Sequence, residues 1–153
     1  MVFVPVGLAV ALALRDGERR AHRGFAATPT LRRALGSGSD DEEADFAALN
    51  AAGVAALDGL AEPRRLVLAV DVDESQVTDR RTDLGEVEVR DVGWPQVQAL
   101  FADEEPAAAA VVPAAAAASG VPLHEAFDLP AVIELTDGYD LLWFAPDELD
   151  ALR

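Results

Sequence analysis

The chain opens with an almost unbroken apolar run, MVFVPVGLAVALAL, which limits what the rest of the chain can be. No basic residue precedes this run, whereas a secretory signal begins with Lys or Arg. The run is also shorter than the roughly 18 apolar residues that a membrane-spanning helix needs. Pro5 and Gly7 divide it, so we expect residues 2–6 to form a buried strand and residues 8–15 to form a helix that stops at Asp16. This pattern predicts a soluble, cytoplasmic protein whose first residues belong to its core.

The composition is acidic and lacks cysteine. The 153 residues carry a formal net charge of −16 and no cysteine, so disulfides and cysteine-ligated metal sites are excluded. The length predicts one domain over residues 1–153. Residues 1–36 hold six arginines against two acidic residues, so the acidity lies in the remainder. Because proteins bind nucleic acids and anionic membranes through cations, we expect neither as a partner.

The first half of the chain predicts two further helices. A short strand is expected at GFAAT, residues 24–28, and Thr28 before Pro29 is typical of a helix start. Ser39 and Glu42 have the spacing of a capping box, and the acidic run 40–45 would stabilise the positive end of the helix that follows. We expect this second helix to reach Pro63, with one buried apolar stripe made of Phe46, Leu49, Gly53, Ala56, Leu57 and Leu60.

Three later segments have strand patterns. RRLVLAVDV at residues 64–72 is apolar on both faces and predicts the central strand. After a polar loop, EVEVRDV at residues 86–92 alternates, which places Val87, Val89 and Asp91 on one face. QALFA at residues 98–102 is assigned as a strand. Asp103 then serves as the cap of an alanine-rich helix that Pro113 should kink or divide.

The C-terminal region allows two interpretations. Asp137-Gly138 would suit a hairpin turn, whereas Asp128 and Pro130 suit the start of a helix that ends near Thr136. We favour the helix, followed by a strand at DLLWF and a short helix from Pro146. Together the elements predict a single α/β domain with a mixed sheet of five or six strands packed with helices.

Three segments carry a family resemblance. VFVP near the start, RRLVLAVDV in the middle and DLLWF near the end resemble a small uncharacterised family of acidic actinobacterial proteins. The resemblance covers most of the chain. It implies a one-domain cytoplasmic protein of unknown function, and it assigns no catalytic residue.

One stretch offers a candidate catalytic chemistry. LVLAVDVDES resembles the nucleophile loop of haloacid-dehalogenase-type phosphatases, which implies Asp71 as nucleophile, Asp73 as acid/base and Mg²⁺ as cofactor, but the chain has no lysine, which that family supplies. More generally, Asp71, Asp73 and Asp103 could gather into an oxygen-ligand site for Mg²⁺ or Ca²⁺ in a metal-assisted hydrolase. The simpler interpretation is that Asp71 and Asp73 form a loop, with no cofactor.

A noncatalytic binding or interaction protein is the function we favour from sequence. Trp94 and Trp143 would anchor a protein partner, because large aromatic side chains dominate interface energies, and Arg19 and Arg20 belong to an arginine-rich surface that could contribute. The alternative for both tryptophans is core packing, which we favour for Trp143. His22 and His124 are expected at the surface or in linkers.

Overall fold

The computed structural model describes all 153 residues and contains one antiparallel sheet of seven strands. Every neighbouring pair in the order β4-β5-β2-β1-β3-β6-β7 is antiparallel, so the prediction of a mixed sheet with five or six strands is wrong, although the α/β class is confirmed. The strands are β1 (Val2–Pro5), β2 (Arg20–Phe25), β3 (Leu66–Val70), β4 (Val77–Asp79), β5 (Glu86–Val92), β6 (Val97–Ala102) and β7 (Leu142–Phe144).

Six α-helices accompany the sheet, and none is both long and apolar enough to cross a bilayer. They are α1 (Leu8–Arg15), α2 (Pro29–Leu35), α3 (Asp41–Ala55), α4 (Ala108–Ala118), α5 (Leu123–Ala126) and α6 (Pro130–Gly138). Short 3₁₀ segments cover Glu74–Gln76, Trp94–Gln96, Glu105–Ala107 and Pro146–Leu152.

The leading apolar run is buried in the core, as predicted, and its strand is the central strand of the sheet. β1 lies at the centre of the strand order, with β2 on one side and β3 on the other. Val2 and Val4 are buried on one face and Phe3 on the opposite face, as the period of a strand requires. The predicted central strand, β3, is fully buried but stands one position away from the centre.

Different helices and 3₁₀ segments pack on the two faces of the sheet. Ala11 and Leu14 of α1, with Leu149 and Leu152 of the C-terminal 3₁₀ segment, pack on what we call the α1 face. α2 and α3 pack on the opposite, α3 face. α4, α5 and α6 form a further apolar cluster with Val54 and the residues just after α3. The sheet therefore has a helix or 3₁₀ segment on each side.

The start of α3 is close to the prediction, but its buried face is not. The cap is Asp40, whose Oδ1 accepts from the backbone N–H of Glu43 at 2.8 Å, instead of Ser39 paired with Glu42. The helix ends at Ala55 instead of continuing to Pro63. Its buried residues are mainly alanines, and Phe46 is 64% exposed. Small side chains let the helix lie close to the sheet, which turns the larger residue outward.

Three strands, β2, β4 and β5, differ from the prediction. β2 covers Arg20–Phe25 instead of residues 24–28, because its polar residues lie against β5, where Arg23 pairs with Glu86 across the strands. β4 was not predicted, because it lies in a polar segment and only one of its three residues, Val77, is apolar.

In β5, Asp91 has a φ of 57° and is exposed, so Val92 takes the buried place expected for Asp91.

The remaining elements largely agree with the sequence. Thr28 Oγ1 accepts from the backbone N–H of Leu31 at 3.2 Å, so the start of α2 is confirmed. α6, β7 and the 3₁₀ segment from Pro146 confirm the helical interpretation of the C-terminal region. α4 runs continuously through Pro113 and is not divided. Asp103 is not a helix cap, because its carboxylate is bonded elsewhere.

Gly85 precedes β5 in a backbone conformation that favours glycine. Its φ is 78°, and an added Cβ would collide with the carbonyl oxygen of Ala26, whose N–H donates to Gly85. We expect Gly85→Ala to lower the free energy of unfolding, measured by urea denaturation, by about 1–3 kcal/mol. Gly38→Ala is the control, because Gly38 has no atom near that position and an ordinary φ. Equal stability of the two variants would contradict this account.

Candidate binding site

A buried ion pair lies between the start of β3 and the end of β6. Leu66 and Ala102 are partners in the antiparallel register, so Arg65 and Asp103 flank the last pair of the ladder. Arg65 is 2% exposed and Asp103 is 0% exposed. Arg65 Nε donates to Asp103 Oδ2 at 2.9 Å and Nη2 donates to Oδ1 at 2.7 Å, while the Arg65 backbone N–H donates to Oδ2 at 2.8 Å. This two-pronged geometry is what a buried charge pair requires.

The remaining guanidinium nitrogen of Arg65 has no acceptor in the protein. Nη2 makes a second, longer contact of 3.4 Å to the carbonyl oxygen of Tyr139, whereas Nη1 donates to none. Gly53 of α3 lies beside it: an added methyl group would stand 3.4 Å from Nη1 and 3.2 Å from Leu141 Cδ1. The glycine inside α3 therefore leaves room for the Arg65 head group and for Leu141.

Arg65 lines a cavity of about 270 Å³ between α3, α6 and the segment that leads into β7. Asn50 and Tyr139, the single asparagine and the single tyrosine of the chain, line it as well. The other lining residues are Phe46, Leu49, Thr136, Asp137, Asp140 and Leu141. The cavity thus combines an apolar wall with hydrogen-bond donors and two carboxylates.

β7 forms an edge of the sheet directly after this cavity. It pairs with β6 on one side and has no strand on the other. Trp143 is 61% exposed and Leu142 is 41% exposed. Trp143 stands opposite Phe101, whose ring meets Phe3 edge-on at 6.2 Å. The expectation that Trp143 packs in the core is therefore wrong, because strand position at the edge, and not composition, decides its exposure.

Trp94 has a different environment. It belongs to the 3₁₀ segment before β6 and packs, partly buried, against the core of the α1 face. The two candidate anchors thus lie in unlike surroundings, and Trp143 is the more exposed.

The two predicted arginines each pair within the chain. Arg19 Nε donates to Asp91 Oδ1 at 2.9 Å, and this hydrogen bond and the positive charge hold the pKa of Asp91 below its usual value. Arg20 Nη2 lies 2.5 Å from Glu18 Oε2. Both guanidinium groups are exposed, and both have a carboxylate as neighbour.

The three candidate metal-binding aspartates do not come together. β3 and β6 are antiparallel, so Asp71 follows β3 at one end of the pair while Asp103 follows β6 at the other. With about 3.3 Å per strand residue, the two ends stand about 20 Å apart. Asp73 is the N-terminal cap of the 3₁₀ segment Glu74–Gln76: its backbone carbonyl accepts from the Gln76 N–H at 2.9 Å, and its own N–H donates to Gln76 Oε1 at 3.1 Å. No group of three or more His, Cys, Asp or Glu side chains is arranged to hold a metal ion.

His22 lies in β2, not in a linker, whereas His124 is exposed on α5. The Nε2 atom of His22 is buried without a hydrogen-bond partner. Burial lowers the pKa of His22, and the charge of Arg20 lowers it further, so the neutral imidazole is favoured.

Sequence reasoning missed the cavity and the ion pair behind it. A signal was present, since Arg65 directly precedes one apolar strand and Asp103 directly follows another. Antiparallel pairing of those strands brings such flanking charges together. Asp137, Tyr139 and Asp140 are neighbours in sequence at the end of α6, but Asn50 comes from α3, and no spacing in the sequence connects it with them.

Comparison with known proteins shows the family. Residues 1–152 match a protein family described as "Family of unknown function (DUF6912)", and the chain belongs to that family. The resemblance to an uncharacterised family is thereby confirmed, and no activity comes with it. No curated protein and no solved structure matches the chain.

The Arg65–Asp103 pair should make a large contribution to folding. We expect Asp103→Asn to lower the free energy of unfolding by about 3–5 kcal/mol, because it leaves the buried Arg65 charge without compensation. Asp41→Asn is the matched control, since Asp41 pairs with Arg32 at 2.7 Å but is fully at the surface. Urea denaturation measures both, and a loss in Asp103→Asn no larger than in the control would contradict the assignment.

The two tryptophans should differ in quenching by acrylamide. In Trp94→Phe protein the emission comes from the exposed Trp143, and we expect efficient quenching. In Trp143→Phe protein it comes from the partly buried Trp94, and we expect a clearly smaller Stern–Volmer constant. The reverse order would show that the β7 edge is covered in solution.

Proposed function

We propose that residues 1–153 act as one noncatalytic cytoplasmic interaction module, and that the partner is a protein that presents an extended basic segment to the free edge of β7. The observation that carries the proposal is the exposure of Trp143 on an edge strand. Tryptophan is the residue most enriched among those that dominate binding energy at protein interfaces.

The two edges of the sheet differ in protection. β4 at one edge ends in Asp79 and is followed by Arg80 and Arg81, and charged residues discourage pairing with another chain. β7 at the other edge contains no charged residue and displays Leu142 and Trp143. An extended peptide can add a strand to such an edge through backbone hydrogen bonds, while alternate side chains supply specificity.

The charge around β7 favours a basic partner. Residues 91–152 hold twelve Asp and Glu residues and no Arg or Lys. Asp140 precedes β7, and Asp147 and Glu148 follow it closely. An arginine or lysine of the partner would meet these carboxylates and could also lie on the indole face of Trp143.

The cytoplasmic part of the proposal is supported by the leading apolar run. Residues 2–15 form β1 and α1, and Val4, Ala11 and Leu14 are completely buried in the core. Removal of this segment would take the central strand out of the sheet.

A synthetic probe tests the proposal. A fluorescently labelled peptide of four Arg-Val repeats should bind saturably by anisotropy, and the affinity should fall with rising salt. Trp143→Ala should weaken binding by at least about 2 kcal/mol. Trp94→Phe is the control and should leave the affinity unchanged.

Two further peptides separate strand addition from general attraction between charges. Four Glu-Val repeats should not bind, because their charge matches that of the surface. The Arg-Val peptide with alternate amides N-methylated keeps its charge but loses backbone donors, and it should bind much more weakly. Equal binding of the methylated peptide, or no effect of Trp143→Ala, would refute the proposal.

A further inference from the structure

The imidazole of His22 has one nitrogen inside the protein and one at its surface. Nε2 is the one buried side-chain nitrogen or oxygen atom of the chain that lacks a hydrogen-bond partner. Nδ1 has no partner in the chain either, but it is not buried, so it reaches solvent. His22 stands opposite Val89 in the register of β2 and β5, and Val89 is completely buried in the core of the α1 face. Nε2 therefore lies in an apolar environment that offers it no acceptor.

The charges on the segments nearest His22 do not favour its protonation. Arg20 lies two residues before His22 on β2, and its charge opposes a second positive charge on the imidazole. The carboxylate of Glu18 is paired with Arg20. β1, the other neighbour of β2, and the 3₁₀ segment Trp94–Gln96 contain no titratable side chain. These segments therefore supply no free carboxylate that could stabilise a protonated His22.

The carboxylates of the other elements around β2 are already engaged. Asp79 of β4 accepts from the backbone N–H of Arg81 at 2.7 Å. Arg90, the one cation of β5, donates to Thr78 Oγ1 at 2.6 Å. The remaining acidic residues on β5 and beside α1 each pair with an arginine, namely Glu86 with Arg23, Glu88 with Arg80, Asp91 with Arg19 and Asp150 with Arg15. α2 and α3 cover the opposite face of the sheet. A proton on Nε2 would therefore have no counter-ion.

The pairing of β2 is irregular beside this imidazole. The register with β5 shifts between Arg20 and His22, so that β5 contains an extra residue there. Asp91 lies in this bulge and has a φ of 57°. β1 is in register with β2 at Phe25 alone, which is the last residue of β2. The first half of β2 is therefore paired with β5 only, across a bulge.

We propose that His22 is an acid switch for this part of the sheet: protonation of Nε2 opens the pairing between the first half of β2 and the end of β5. The proton comes from solvent, and it gives the imidazole a positive charge that cannot stay in the buried position. The charged side chain turns out to water, and the bulged pairs beside it separate. The strands β1, β3, β6 and β7 keep their ladders, because they contain no buried unpartnered group. The switch does not depend on the β7 surface.

The direction of the pH effect follows from the burial of the imidazole. Burial, and then the charge of Arg20, lower the pKa of His22 below its ordinary value of 6.5, so the unfolded chain takes up the proton before the folded chain does. Stability that is fully present above that value is therefore lost as the pH falls below it. His124, which is exposed on α5, serves as the comparison.

NMR titration measures the protonation of His22 directly. The chain has two histidines, so in His124→Gln protein the remaining imidazole signal is that of His22. Its titration midpoint should lie below 6.5, the ordinary pKa of the side chain. This measurement needs no change at His22 itself, and a midpoint at or above 6.5 would overturn the proposal.

Urea denaturation tests the effect of that proton on stability. Measurements at about pH 7.5 and about pH 5.5 bracket the ordinary pKa of histidine and stay above those of the carboxylates. Moving to the lower pH should cost the wild-type protein more of its urea midpoint than it costs His22→Gln, whose amide cannot take up the proton. His124→Gln is the matched control and should follow the wild type. Equal pH dependence of His22→Gln and the wild type would contradict the switch.

Amide hydrogen exchange, expressed as protection factors, locates the opening. At the lower pH, protection in the wild-type protein should fall most at residues 20–23 and 89–92, while β3 and β6 keep theirs. His22→Gln should show no such local fall. A loss spread equally over all strands, or the same local loss in both proteins, would refute the proposal.

Discussion

The buried pair of Arg65 and Asp103 is the interaction on which the C-terminal half of the structure depends. It joins β3 to β6 at the end of their ladder, and Arg65 also reaches the carbonyl oxygen of Tyr139 in the link to β7. Removing two charges from water is costly, and the bidentate geometry offsets that cost only while both partners stay aligned. The pair therefore favours one register of the two strands and positions both the cavity and the edge beside it.

Small side chains determine what the helices hide and what they display. α3 buries alanines against the sheet, and Gly53 admits Arg65 and Leu141. A helix held so close turns its larger apolar residue away, so Phe46 lies at the cavity and not in the core. The alanines of α3 occupy its buried face, so its large apolar side chain, Phe46, lies on the exposed face. The alanine-rich composition thus accompanies an exposed apolar surface.

Local patterns in the sequence predicted the elements better than their arrangement. Apolar runs and alternation located β1, β3, β5, β6 and β7, and side-chain caps located α2 and α3. Strand order and direction depend on contacts between distant residues, so the antiparallel sheet, the separation of Asp71 from Asp103, and the exposure of Trp143 were not accessible from local patterns. β4 has too few residues for any periodicity. The site was missed for the same reason, since its residues meet only once β3, β6 and α6 are in place.

The strand order also has a consequence for synthesis of the chain. The central strand, β1, is synthesised before the other six strands, while β7 is synthesised after them. Domains synthesised from the N-terminus can begin to collapse before their ends appear. A prematurely terminated chain would keep the middle of the sheet and lack its outermost strand. The edge that carries Trp143 is consequently formed only after the other six strands of the sheet have been synthesised.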